Sequence, residues 1–377
     1  MTASRGSDSW YARPAARAWT CAPARAGVHA FHASLDGYAA TPLIELPAVA
    51  VQLGVGRVLV KDESARLGLP AFKVLGASWA IRQVLSLWPA GAHVLLVAAT
   101  DGNHGRAVAR MARLFGQRAL VFVPDGVHPA AVAAIAAEGA QVNHVAGAYD
   151  EAVRLAADAA RGPDAALVQD TAWPGYEQVP SWIVEGYSTL FAEIDVQLPA
   201  LRAGPPSLVV VPVGVGSLAQ AAVAHYRSKP AGAGAALLAV EPDTAAGVLA
   251  SLTRGELVSV PTGVTIMAGL NCGTPSSLAW PYLREGLDGA VAVTDADSAA
   301  ALRELAGHGI AAGPCGAAAL AGARAALTGE GAGARRGALA IGPDATVVLI
   351  CTEGADANPP PRPAAGPCRT GAVDGPG

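Results

Sequence analysis

The chain of 377 residues is poor in charge, in aromatic side chains and in cysteine. Charged residues make up 15% and the net charge is −4. Phosphate contacts need a basic excess that is absent here, so no nucleic-acid partner is expected. Low charge together with 52% hydrophobic residues is the reverse of the composition that leaves a chain unfolded. No uninterrupted apolar run reaches the ~18 residues of a membrane span; the strongest, residues 94–99, stops at Thr100-Asp101, so no membrane partner is expected. The first twenty residues carry Arg and Ala but no apolar core of a secretory leader, and the expectation is a cytoplasmic protein. Five cysteines with no Cys-x-x-Cys pair make neither a disulfide framework nor a zinc site, and no metal is expected. Lysine is the scarcest cation, present only as Lys61, Lys73 and Lys229 in a total of 26 Lys and Arg. A lysine kept where arginine otherwise serves is a candidate amine, because guanidinium neither deprotonates nor condenses with a carbonyl.

What is present is an alternation of short apolar runs with longer Ala-rich stretches. Candidate strands are 57–61, 93–99, 119–123, 141–145, 166–170, 207–213, 237–241, 290–293 and 346–351. Candidate helices are 73–88, 104–116, 129–138, 149–161, 179–198, 216–228, 296–307 and 314–327. Runs such as LVVVPV and TVVLIC, apolar at successive positions, read as strands buried on both faces of a parallel sheet. Their number exceeds one average sheet, which predicts an α/β protein with two αβα lobes. Residues 1–25 and 355–377 are Ala/Arg/Pro-rich and Pro/Gly-rich without periodicity and read as loose ends.

Four segments carry functional groups. In P-A-F-K-V-L-G (70–76) Lys73 opens a predicted helix among apolar neighbours; the helix dipole and lost hydration both disfavour its ammonium, as an imine-forming lysine requires. A lysine merely laid along the surface is the commoner case for one such residue taken alone. A-T-D-G-N-H-G-R (99–106) follows a strand and opens a helix, the position where open α/β sheets bind ligands. Its Thr100, Asp101, Asn103 and His104 supply more groups than one helix cap needs; His104 by itself reads as a loop hydrogen-bonder. V-G-V-G-S (213–217) can present N–H groups to a phosphate at a helix N-terminus. The same stretch, Gly214-x-Gly216-x-x-Ala219 with Glu241 ending the next strand, also fits a relaxed dinucleotide fingerprint. C-T-E-G (351–354) closes the last strand, where Cys351 or Thr352 can meet a heteroaromatic nitrogen, or the cysteine can simply pack.

Together with QDTAWPGYEQVPSWIVEGY (169–187), VEPD (240–243) and TIMAGLNCGTPS (265–276), these segments resemble the fold-type II pyridoxal-phosphate enzymes, the group of serine and threonine dehydratases and tryptophan synthase β. Within that group the resemblance is closest to the diaminopropionate ammonia-lyase branch, over about residues 35–355. It implies a tryptophan synthase β-like fold with the cofactor between two lobes: a large lobe of 35–79 and 186–355, a small lobe of 80–185, an arm of 1–34 and a disordered tail of 356–377. It implies that Lys73 forms the internal aldimine beside Phe72, that Asn103 contacts the phenolate oxygen, and that Gly214, Val215, Gly216 and Ser217 hold the phosphate. Cys351, with Thr352 as second choice, would face the pyridine nitrogen. Asp101 and Asp170 match the lyase's two active-site aspartates; with Thr100 and His104 they would bind the substrate.

The implied reaction is elimination of ammonia from D- or L-2,3-diaminopropionate, through aminoacrylate, to pyruvate. A carboxylate would bind the second ammonium and take the α-proton of the D isomer, with Lys73 taking that of the L isomer; for this, burial should raise the aspartate's pKa. A small amino acid is the expected partner, and a homodimer the expected assembly. The chain departs from the pattern at Ala-Gly-Pro-Cys-Gly-Ala (312–317), where an acidic residue beside the cofactor is missing and Pro314 stiffens the turn, and Cys272 lacks its disulfide partner. A related lyase, dehydratase or β-replacement enzyme, a nicotinamide-dependent oxidoreductase, and a non-catalytic amino-acid sensor are the alternatives. Lys61 is expected to pair with Asp62 and Glu63, and Lys229 to be solvent-exposed.

Overall fold

A computed structural model describes residues 9–100, 102–147, 149–229 and 234–357. Two sheets organise it. The larger is built from β1 (Trp10–Ala12), β2 (Leu43–Glu45), β3 (Arg57–Asp62), β8 (Leu208–Pro212), β9 (Ala236–Pro242), β10 (Gly289–Val293) and β11 (Thr346–Cys351), in the order β1-β10-β9-β8-β11-β3-β2. The smaller is β6-β5-β4-β7, from β4 (Leu95–Ala99), β5 (Arg118–Pro124), β6 (Gln141–Val145) and β7 (Ala165–Leu167). Every pairing is parallel except the two edges, β1 on β10 and β2 on β3. The α/β class and the two mostly parallel sheets agree with the sequence.

The helices are α1 (Val28–Ala33), α2 (Pro47–Leu53), α3 (Lys73–Leu85), α4 (Asn103–Leu114), α5 (Pro129–Ala137), α6 (Tyr149–Ala159), α7 (Gln178–Ala200), α8 (Ser217–Arg227), α9 (Gly247–Arg254), α10 (Trp280–Gly286), α11 (Asp295–Gly307), α12 (Pro314–Leu327) and α13 (Ala332–Leu339). They cover both faces of the large sheet, which is why β8 and β11 are apolar at successive positions. Strand alternation sorts their side chains: Val209, Val211, Val348 and Ile350 join the core that holds α3, α7 and α8, while Val210, Val347, Leu349 and Cys351 join the core under α2 and α12. Helices α3 and α7 meet through glycine. A Cβ at Gly186 would lie 2.5 Å from the Leu75 carbonyl oxygen and 2.7 Å from Gly76 Cα, so only glycine lets the helix bearing Lys73 lie this close.

Three sequence expectations change. The arm is docked from Ser9 onward: Trp10–Ala12 pairs with β10, and Arg13 and Arg17 bind Glu285 and Asp288. The tail beyond Ala357 lies outside the described residues. Lys61 bonds Glu193 of α7 at 2.6 Å, together with the Thr41 carbonyl and Gln197, because its side chain points into the core and not along its own strand; Arg66 takes Glu63 instead. Lys229 is half-covered, paired with Asp195 and lying over the Tyr226 ring.

Candidate active site

The carboxyl ends of both sheets face one cleft, where a parallel sheet gathers its loops. Lys73 is the first residue of α3. Its approach, 70–72, is held against the segment after β11: Phe72 N donates to the Thr352 carbonyl at 3.2 Å, and Gly354 N to the Pro70 carbonyl at 2.9 Å. The Phe72 ring packs on buried Tyr187, centroids 4.8 Å apart. Lys73 Nζ then donates to Asp170 Oδ2 at 2.5 Å.

Asp170 lies just past β7 and is buried. Burial pushes its carboxyl up, but the Lys73 charge, the nearby His104 and the Lys73 hydrogen bond outweigh it, and the group sits well below the ordinary carboxylate range. This reverses the expectation that burial would raise it: the ion pair wins while Lys73 carries its charge.

The polar loop between β4 and α4 is used in part for its own shape. Thr100 Oγ1 accepts from Gly102 N at 2.9 Å and Gly105 N at 3.1 Å, which makes it a structural cap of the turn. His104 is buried, its Nε2 2.7 Å from the Val168 carbonyl oxygen and its Nδ1 3.8 Å from Asp170 Oδ2. Asn103, the first residue of α4, donates through Nδ2 to Glu353 Oε2 at 2.7 Å. Asp101 lies outside the described residues.

The 214–217 loop joins β8 to α8. Gly216 has φ +100° and precedes α8, which has no side-chain cap; a Cβ there would meet Leu283 Cδ1 at 2.7 Å. The loop therefore turns left-handed and leaves a bare helix N-terminus at the cleft. Ser217 Oγ donates to the Asp170 carbonyl at 3.1 Å, tying this loop to the other sheet.

At the end of β11, Cys351 and Thr352 have different surroundings. The Cys351 thiol lies in the core under α12 and donates weakly to the Glu353 carbonyl at 3.5 Å; burial pushes its pKa up. Thr352 Oγ1 is buried without a hydrogen-bond partner, and an orphaned hydroxyl of this kind calls for a ligand or water.

Two residues escaped the sequence. Gln169 accepts from Ala99 N at 2.9 Å through Oε1, and its Nε2 donates to Tyr149 Oη at 2.7 Å, so it fixes the end of β4 against the Asp170 turn. Its place beside Asp170 was the one available signal. Glu353 is fully buried between Asn103 and the start of α12. Glu241, the ribose-binding acid of the dinucleotide alternative, is spent elsewhere: its two oxygens accept from Val248 N and Leu249 N at 2.8 Å, in the first turn of α9. That removes the feature separating a dinucleotide fingerprint from an ordinary glycine turn.

The family model of pyridoxal-phosphate dependent enzymes matches residues 35–353. The chain belongs to this family. Diaminopropionate ammonia-lyase of Escherichia coli (strain K12) is 37% identical over 291 residues, 73% of this chain and 73% of that protein. A crystal structure of the Escherichia coli lyase in complex with an aminoacrylate-PLP azomethine reaction intermediate has a TM-score of 0.80 at 34% identity, covering 87% of this chain and 88% of that one. The crystal structure of maize serine racemase has a TM-score of 0.73 at 21% identity, covering 89% of this chain and 94% of that one, a likeness of fold alone.

As a pyridoxal-phosphate-dependent enzyme of fold type II, the chain must offer an amine, an anion cradle and a polar group for the pyridine nitrogen. The chain has all three kinds: Lys73, the bare N-terminus of α8, and the partnerless hydroxyl of Thr352, whose carbonyl holds the approach to Lys73. The residues present fit the cofactor. Among the described residues no cluster could hold a metal ion, and no helix is long and apolar enough to cross a membrane.

Proposed function

We propose that the chain eliminates ammonia from 2,3-diaminopropionate, releasing pyruvate and ammonia. The observation that carries this reading is the Asp170 carboxylate in contact with the Lys73 amine. A second ammonium on the substrate asks for an anion near the reacting centre, and Asp170 supplies it from a buried position that strengthens the attraction. The likeness to diaminopropionate ammonia-lyase supports the same substrate.

Bound pyridoxal phosphate supplies the electron sink that makes the substrate's α-hydrogen acidic. The rest is done by this chain. Lys73 would hold the cofactor's aldehyde carbon, Asn103 would donate to its phenolate oxygen, and the 214–217 loop would take its phosphate on backbone N–H groups. Thr352 would meet the ring nitrogen, a reading that its partnerless hydroxyl supports over Cys351, whose thiol lies under α12. A neutral hydroxyl there would leave the ring nitrogen unprotonated, which suits β-elimination better than chemistry needing a stronger sink. Asp170, with Asp101, binds the distal ammonium and accepts the α-proton of the D isomer, while the Lys73 amine accepts that of the L isomer. When the Lys73 nitrogen gives up its charge, the larger of the attractions that depress the Asp170 carboxyl is lost and burial pushes the group upward against His104, toward a useful base. His104 positions Asp170 from the adjoining loop.

We also propose a homodimer acting in the cytoplasm, with the lobes divided near residues 79/80 and 185/186; gel filtration reads the assembly directly. A second substrate reading, a lyase or dehydratase for another β-substituted amino acid, is favoured by the 312–317 turn, which has Pro314 and Cys315 in place of an acid. Keto-acid release from D- and L-diaminopropionate, serine, threonine and β-substituted alanines decides between them. The first reading expects diaminopropionate to exceed the hydroxy amino acids in kcat/KM by at least tenfold; equal or better turnover of serine would overturn it.

A further inference from the structure

The 312–317 turn lacks an acid of its own, yet a carboxylate sits in it. Glu353 Oε1 accepts from Cys315 N at 3.3 Å, in the first turn of α12. Pro314, at the start of that helix, has no N–H to offer. The other oxygen, Oε2, accepts from Asn103 Nδ2 at 2.7 Å. The backbone of Glu353 is pinned on two sides: it bridges Ala71 beside Lys73, and its carbonyl accepts from Gly313 N at 2.9 Å. A Cβ at Gly313 would stand 3.0 Å from Glu353 Oε1, so the turn leaves room for the carboxylate and nothing larger.

We propose that Glu353 is a positioning residue for Asn103, fixing which end of its amide enters the cofactor cleft and joining the two sheets at that point. A carboxylate only accepts hydrogen bonds, so it selects the Nδ2 end of the amide. Nδ2 has two hydrogens; with one on Glu353, the other is aimed and can be given to an oxyanion, and the charge-assisted bond holds it there. A helix cap alone would need one oxygen and no contact with α4. Asn103 follows a strand of the small sheet and Glu353 a strand of the large one, so the contact also sets how the small lobe meets the cofactor. This rests on the assignment of Asn103 to the cofactor given above.

Pyridoxal phosphate titrated into the apoprotein, followed by visible absorbance and without substrate, tests it. Glu353→Ala should weaken cofactor binding about tenfold and shift the visible band, Glu353→Gln should fall between Ala and native, and Asn103→Ala should weaken binding at least as much. The double variant N103A/E353A should bind no more weakly than N103A alone, because Glu353 acts through Asn103. Native-like affinity and band in both Glu353 variants, or losses that multiply in the double variant, would overturn it. Lowered thermal stability of the E353A apoprotein with unchanged cofactor affinity in E353Q would reduce Glu353 to a helix cap, and would equally overturn it. A protein that shows the expected binding series but releases no keto acid from diaminopropionate sinks the proposed reaction and leaves this inference standing.

Discussion

The Lys73 amine and the Asp170 carboxylate touch, Nζ to Oδ2 at 2.5 Å, although 97 positions separate them in the chain. Each belongs to a different sheet's loop system, and the contact brings an amine and a carboxylate to one point. Asp170→Asn keeps the shape and removes the charge. Elimination from D-diaminopropionate should fall by about 10²–10⁴, the range for a lost general base, with a smaller loss for the L isomer, whose α-proton Lys73 takes, and for L-serine, which has no second ammonium. The variant should also show how pH acts on the apoprotein. The Asp170 carboxyl is depressed in the folded state, so its contribution to stability is present above the unfolded value near 3.8 and is lost as pH falls below it. Denaturant unfolding should find D170N less stable than native at pH 7, with the gap narrowing below about pH 4.

The packed Cys351 thiol and the partnerless Thr352 hydroxyl give a paired prediction. Thr352→Val removes the orphaned hydroxyl at nearly constant volume and should weaken pyridoxal-phosphate affinity about tenfold, the size of one net hydrogen bond. Cys351→Ala empties space under α12 and should lower thermal stability while leaving the cofactor's absorbance band in place. Spectra and melting curves of the two variants check both halves.

Much of this arrangement was legible in the chain, and what was not has physical reasons. Long apolar runs marked β8 and β11, and the one lysine after Pro70 marked the start of α3. The edge strands β1 and β2, three residues each, are too short to carry a period. That the Cys351 side chain joins the core under α12 depends on the register of β11, since a shift of one residue exchanges the faces of a strand. The partners of Lys61 and Asn103 lie 132 and 250 positions away, distances at which spacing is silent. That the Thr100 hydroxyl serves its own turn was not legible, because a polar loop needs hydroxyls both for its turns and for ligands, and composition does not divide them.

The buried charge cluster of Lys61, Arg66 and Glu193 predicts acid sensitivity. Glu193 accepts from Lys61, Arg66, Tyr38 and Thr41. Burial pushes its carboxyl up, but the Arg66 bond and the charges of Arg66 and Lys61 prevail, bringing it down from 4.5 to about 2. The depressed pKa means stability that is present above 4.5 and is lost as pH falls toward 2. Glu193→Gln should cost about 3 kcal/mol at pH 7, shrinking across that window. Urea unfolding at several pH values measures it; a penalty independent of pH would contradict the ion-pair account.

The account's centre is the covalent role of one amine, and borohydride reduction of the cofactor-loaded protein followed by peptide mass mapping tests it most directly. The account predicts that the visible band disappears and that a reduced pyridoxyl group is recovered on Lys73 alone, with Lys73→Ala taking up no label. Recovery of the label on Lys61 or Lys229, or an unlabelled protein that nonetheless releases pyruvate from diaminopropionate, would contradict it.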